Sequence, residues 1–511
     1  MGSFKSLLTT TPRLSLTSLR SRICPSPVAQ QLSPSHLDKR SAWEDLPPEV
    51  FEQTLIYMGD LSLLTLAKVN RLFNYMALEK FFGEPMMGKL LEEGRFANLP
   101  VNGLGKPDAI EGLRLSVWLE RLEHVHHRFT HQGLVRDVKT LTLIVARMPT
   151  FKTLHLDLRE TKESLYDPNY HIPEQAIARL CDVAIAKGCE SLKLGRHGLV
   201  EFDHRRQHQQ EALFHVVDNY FERANLHVIQ ICGAFLVFPF LTYTSSLLEA
   251  RSTTIHHLHF DTSTIFIAAE TWENILGSVH FPNLETFLFN HPVMTRIRGT
   301  TLVKFLSSHP TIKTLRLYCG SKDPLKGLDQ PNLPSLSTID AEPRLITRLF
   351  QSRTVCPNVR EVVIRQGTEN DRFLDEALGA VNRPDREAPE KIVLKVKLYS
   401  RSWLTWMTRH IEDDVEGASS GLRNVRITNL AFCVDSVIRP RMDKEAMRCF
   451  AQWVALFPAL RHLEIVRPLD KSPVDVDVAS REKALHDTVF QYCPKLESFF
   501  FTSCDEGDYT I

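Results

Sequence analysis

The chain has 511 residues, 43% of them hydrophobic and 24% charged, which is ordinary usage for a folded globular protein. Sixty-one basic residues balance 61 acidic ones, so global charge points to neither nucleic acid nor an anionic membrane as the main partner. No apolar run approaches the roughly 18 residues a membrane helix needs, and a soluble chain of the cytoplasm, the nucleus or both is expected.

The ten cysteines are scattered singly with no C-x-x-C pair, which argues against zinc or thioredoxin-like chemistry and against a disulfide scaffold. Several precede apolar runs, where a free thiol behaves as a small hydrophobe, and a reducing compartment is expected. Residues 1–40 are rich in Ser, Thr, Leu, Pro and Arg, and their first acid is Asp38. A disordered basic tail is the expectation. An Arg- and Ser-rich transit peptide stays open, as does N-myristoylation on Met1-Gly2-Ser3-Phe4-Lys5-Ser6.

Residues 43–75, within a unit spanning 41–82, read as three short helices. Pro47 and Pro48 suit a first helical turn, where a missing N–H costs nothing, and Glu49 suits its positive end. Val50, Phe51, Leu55 and Met58 recur near helical spacing before Gly59-Asp60 breaks the run. Leu63, Leu64, Leu66, Ala67 and Val69 follow, and Asn70 is positioned to cap a third helix carrying Phe73, Met76 and Ala77. So small a unit has little interior, so its leucines either pack on the rest of the chain or form a surface for a partner.

The stretch resembles an F-box, whose usual form runs L-P-x-E, an apolar pair, I-L-x-Y-L, a turn, L-L-x-L, then V-C-R-x-F/W. Leu46, Pro47, Glu49, Val50, Phe51, Leu55, Tyr57, Leu63, Leu64, Leu66, Val69, Arg71 and Phe73 match without a gap. Thr54, Met58, Gly59-Asp60 and Asn70 stand where the family usually has Ile, Leu, Asp-Pro and Cys. The resemblance implies that Leu46, Pro47, Val50, Phe51, Leu55, Leu63, Leu64 and Val69 face a Skp-type linker within a cullin-RING ubiquitin ligase.

Residues 83–140 read as a helical connector, with loops near Pro100 and Pro107 and helical spacing over 111–127 through Leu115, Trp118, Leu119 and Leu122. His124, His126, His127 and His131 cluster without a carboxylate or thiol at ligand spacing, and an exposed polar helix end is expected there.

From 141 to the C-terminus one phrase recurs: a helix, then Pro or Cys, then a short apolar strand. It appears as MPTFKTLHL (148–156), CESLKL (189–194), NLHVIQI (225–231), TIHHLHF (254–260), FPNLETFLF (281–289) and HPTIKTLRL (309–317). LPSLSTI (333–339), CPNVREVVI (356–364), KIVLKVKL (391–398), GLRNVRI (421–427), FPALRHLEI (457–465) and CPKLESFFF (493–501) complete the set. Helical period fills 300–308, 344–352, 444–456 and 481–492, and Pro282, Pro310, Pro458 and Pro494 stop those helices. One helix and one strand cannot close a core alone, so neighbours must stack. The expected fold class is α/β: an F-box-like three-helix unit followed by a parallel-stranded solenoid resembling irregular leucine-rich-repeat arrays. A doubly wound sheet is the alternative, but a dozen phrases exceed a sheet of common size.

Catalytic signatures are thin. Gly417-Ala418-Ser419-Ser420-Gly421 spells G-x-S-x-G but follows an acidic run and lacks the strand–turn–helix setting of a nucleophile elbow. Gly103–Lys106 lacks the glycine and hydroxyl of a P-loop, and His204 and His208 lack the Glu of H-E-x-x-H. The expectation is a non-catalytic adaptor needing no cofactor or metal, with partners limited to the linker, the ligase and an unidentified target protein. The His- and Arg-rich stretch 196–208 and the inserts 161–172 and 322–332 are rim loops where a target could be met. The competing expectation is a recognition scaffold unconnected to ubiquitin, whose N-terminal helices only cap the solenoid.

Overall fold

A computed structural model describes residues 47–98, 108–130, 133–160, 172–195, 225–236, 240–262, 267–290, 297–318, 330–352, 355–365, 372–383, 389–396, 401–415, 422, 426–434, 444–468 and 476–504. Fourteen strands form one sheet whose spatial order is the chain order, every neighbouring pair parallel. The strands are β1 Arg95–Asn98, β2 His124–Thr130, β3 Thr153–Glu160, β4 Ser191–Gly195, β5 Val228–Cys232, β6 His257–Asp261 and β7 Thr286–Asn290. They continue as β8 Thr314–Tyr318, β9 Thr338–Ala341, β10 Glu361–Arg365, β11 Lys391–Val396, β12 Asn429–Val434, β13 His462–Pro468 and β14 Ser498–Cys504. Helices alternate with most of the strands, and the fold is a solenoid-like α/β array.

The repeat has a simple physical basis. In most units from β3 onward one apolar residue precedes the strand, and two more follow three and five positions later. Leu284, Phe287 and Phe289 are all fully buried, as are Ile312, Leu315 and Leu317. Alternation sends the second and third of these to one sheet face, against the helices. Aromatic contacts fill that layer: Trp272, on helix Ala269–Ser278, meets Phe260 of β6 at 5.5 Å and Phe289 of β7 at 4.9 Å. A second ladder runs just ahead of the strands. The Glu123 carbonyl accepts from Lys152 N and Thr153 N, that of Lys152 from Glu190 N and Ser191 N, and that of Glu285 from Lys313 N and Thr314 N. Each unit thereby satisfies backbone groups of the next, and one contiguous core runs from Phe51 to Phe499.

The expected helices are present at Gly299–Ser308, Pro343–Leu349, Lys444–Val454 and Val476–Tyr492, and all twelve phrases lead into β3 to β14. Two expectations are corrected. The helical reading of 111–127 fails: the helix there is Ala109–Leu115, and His124, His126 and His127 stand on β2. Leu122 and Val125 repeat the apolar spacing of the other units, with the buried His127 completing it. The sheet therefore begins at Arg95, upstream of 141. The phrase 421–427 also precedes its strand: β12 starts at Asn429, and its apolar set is Ile427, Leu430 and Phe432.

Candidate functional site

Two surfaces stand out, the first at the N-terminal end. Helices Pro48–Ile56, Asp60–Leu66 and Arg71–Phe82 form the unit expected from 43–75, and the Asn70 side chain accepts from Phe73 N at 2.9 Å as its cap. Phe51 stacks on Phe73 with ring centroids 4.8 Å apart, and Leu55, Leu63 and Leu64 are buried with them. Pro47, Val50 and Val69 are exposed, and Leu46 lies outside the described residues. The eight residues named from sequence thus divide between the interior of the unit and its surface.

The exposed apolar residues are concentrated here. Ten large apolar side chains stand exposed among the described residues, and Val50, Ile56, Tyr57, Leu61, Val69 and Leu72 account for six of them. Tyr57 is 89% exposed and Leu61 72%. A cluster this dense within 23 positions differs from the scattered apolar residues of an ordinary surface. Ile56, Leu61 and Leu72 escaped sequence reasoning because the apolar pattern alone does not say which way a short helix turns its face.

The unit is held firmly to the solenoid. Asn74 is buried, and its amide donates to the Ala67 carbonyl at 2.7 Å and the Leu115 carbonyl at 2.8 Å while its oxygen accepts from Val117 N at 3.3 Å. Gly112 on helix Ala109–Leu115 lies so close to Phe81 and Phe82 that a Cβ there would come within 2.9 Å of both rings. Phe82 in turn meets Phe96 of β1 at 6.3 Å.

The second surface is the sheet face turned away from the helices. Residues one, three and five of each strand line it, in register from strand to strand. Its third row reads His126, His155, Lys193, Gln230, His259, Leu288 and Arg316 across β2 to β8. The rings of His126 and His155 stack at 3.6 Å, and Asn290 Nδ2 lies 3.1 Å from His259 Nε2. Glu123, just ahead of β2, accepts from Arg121 and Lys152, which hold its carboxyl down to about 2. Among the described residues no three His, Cys, Asp or Glu side chains come together in a way that could hold a metal.

Further along this face Asp340 of β9 is buried between two arginines. Arg316 Nε donates to it at 2.9 Å, and Arg365 of β10 donates at 2.5 and 2.7 Å. Beyond them Val363, Val393 and Ala431 form a small buried apolar island packed against Val466. The Lys391–Glu464 ion pair, at 3.1 Å, joins the strands on either side of β12 and Ala431. The stretch 196–208, Gly417–Gly421, Gly103–Lys106 and His131 lie outside the described residues, as do 161–171 and 322–329 of the two inserts. Cys181, Cys189, Cys232 and Cys356 are buried thiols outside any disulfide, as expected of cysteines beside apolar runs. No helix among the described residues is long and apolar enough to cross a membrane.

Neither a scan against protein-family models nor a search of curated proteins returned a match to this chain.

Proposed function

We propose that the chain is a substrate-receptor subunit of the kind its N-terminal stretch resembles, joining a target protein to a Skp-type linker and a cullin-RING ubiquitin ligase. The observation that carries this reading is the concentration of exposed apolar side chains between Val50 and Leu72, on a unit anchored by Asn74 and Gly112 to one end of a long solenoid. In this reading Pro47, Val50 and Val69 touch the linker, joined by Ile56, Leu61 and Leu72. Phe51, Leu55, Leu63 and Leu64 act from within, holding the helices at the angle the contact needs. The stacked units, read as irregular leucine-rich repeats, hold the target. Catalysis is by proximity alone: the receptor raises the effective concentration of target beside the ubiquitin-loading enzyme and performs no bond chemistry.

A second reading has its own support. The burial of Phe51, Leu55, Leu63 and Leu64 and the Asn74 bridge are also what a solenoid cap requires. Co-expression with a Skp-type linker separates the two. The receptor reading expects co-purification that Leu61→Asp/Val69→Asp abolishes in a chain still folded by circular dichroism. A folded wild-type chain that never captures the linker leaves the cap.

A further inference from the structure

The open face of the sheet has a charge pattern that whole-chain composition conceals. From β2 to β8 its first row is His124, Thr153, Ser191, Val228, His257, Thr286 and Thr314, in register with one another. The third row is the one headed by His126 and His155. Neither row contains an acid over these seven strands, and every member is at least partly exposed. Together they carry five histidines, Lys193 and Arg316. At the usual strand spacing the strip is roughly 29 Å long. Acids on the fifth row, Asp157 and Asp261, are buried, and Asp157 takes a 2.8 Å hydrogen bond from Arg128. Acids ahead of the strands have cationic company of their own: Glu123 with Arg121 and Lys152, and Glu285 with Lys313. Glu190, exposed, also lies in that column, its backbone bonded to those of Lys152 and His227. At the far end Arg316 shares Asp340 with Arg365.

We infer that this strip is the docking surface for an extended acidic polypeptide segment, laid across β2 to β8 with its carboxylates on Lys193 and the histidines. Two acid-free rows carrying Lys193 and five imidazoles, flanked by acids most of which are buried or paired, are complementary to negative charge. Nucleic acid fits less well: Lys193 and Arg316 are the only permanent cations in these rows, and Arg316 is already paired. The surface names the class of target and in that sense rests on the receptor reading, but binding to it needs no linker. Because an acidic ligand favours protonated imidazoles, binding takes up protons and strengthens as pH falls toward 6. His124 and His257 sit below the ordinary imidazole range, chiefly through burial.

The test is fluorescence anisotropy of the full chain with a labelled twelve-residue Asp/Glu/Ser peptide. Its Asn/Gln/Ser counterpart and a twelve-nucleotide oligothymidylate serve as comparisons, at pH 7.5 and 6.0. The acidic peptide is expected to bind at least ~10-fold more tightly at pH 6.0 than at 7.5. His126→Gln/His155→Gln/His259→Gln should flatten that pH dependence. Lys193→Glu, a single change on a partly exposed side chain, should weaken binding at both pH values, while Lys483→Glu on the exposed helical side should change nothing. Should the triple variant fail to fold, Lys193→Glu against Lys483→Glu decides. Absent binding of the acidic peptide at pH 6.0, equal binding of the Asn/Gln peptide, tighter binding of the oligonucleotide, or indifference to Lys193→Glu would each overturn the inference. Peptide binding without linker capture would remove the receptor reading and leave the surface, and the reverse outcome would do the opposite.

Discussion

His309 makes the folded chain sensitive to acid in a way that can be worked out from its hydrogen bonds. It follows helix Gly299–Ser308, is 1% exposed, and is surrounded by His280, Phe281 and Phe305. Nδ1 lies 2.6 Å from the Phe305 carbonyl, which can only accept, while Nε2 lies 2.9 Å from the Phe281 N–H, which can only donate. These partners dictate one neutral tautomer, with the proton on Nδ1. Burial opposes the added charge of a second proton, and the neighbouring His280 adds to this, so the ring is held down to about 4 from its usual 6.5. The depressed group is neutral in the folded chain and protonated in the unfolded one between those values. Its contribution is therefore complete above pH 6.5 and is lost as pH falls toward 4. At pH 5 the loss is about 2 kcal/mol. His309→Gln should cost about 1–2 kcal/mol at pH 7.5 through weakened bonds to Phe281 and Phe305. At pH 5.0 the variant and wild type should nearly converge. Urea unfolding followed by circular dichroism at the two pH values reads both effects. An undiminished acid sensitivity in His309→Gln would refute the reasoning.

Other consequences follow from single contacts. His127, buried beside Phe96 and Phe129 and held down to about 3 chiefly by burial, stands where other units carry an aliphatic or aromatic residue. His127→Phe should remove a further ~2 kcal/mol of acid sensitivity at pH 5, seen in the same urea titration. Gly112→Ala should destabilise the N-terminal unit by about 1–3 kcal/mol because its Cβ meets Phe81 and Phe82 at 2.9 Å, and limited proteolysis should cut that unit first. Asp340→Ala removes the buried carboxylate that Arg365 and Arg316 share and should cost about 3–5 kcal/mol, measured as a fall in urea midpoint.

Much of the fold was legible because the spacing of Leu460, Leu463 and Ile465 is dictated by one residue ahead of a strand and two on its inner face, and it recurs as Leu496, Phe499 and Phe501. The first two strands were not legible. β1 has Phe96 as its one fully buried apolar residue, and β2 places His127 in the slot that marks a strand elsewhere. Leu115, Trp118, Leu119 and Leu122 fall at helical spacing by coincidence, since they belong to a helix end, a turn and the residue ahead of a strand. β12 slipped because Leu422, Val425 and Ile427 imitate the repeat spacing five residues before its true set. The candidate surfaces were legible only in part. Motif matching located the N-terminal unit but could not separate buried Leu63 and Leu64 from exposed Leu61 and Val69. The histidine strip depends on strand register: His126 and His155 are 29 positions apart in sequence and stack only once β2 and β3 pair.

The most direct test of the central claim is titration calorimetry of the full chain against a purified Skp-type linker, with Leu61→Asp/Val69→Asp and Phe500→Asp alongside wild type. Phe500 is exposed on β14, at the far end of the sheet from the helical unit. The receptor account expects one-to-one binding to wild type and to Phe500→Asp, weakened at least ~100-fold in Leu61→Asp/Val69→Asp, where two apolar contacts become buried charges. No heat of binding from a folded wild-type chain, or equal binding by all three proteins, would contradict it.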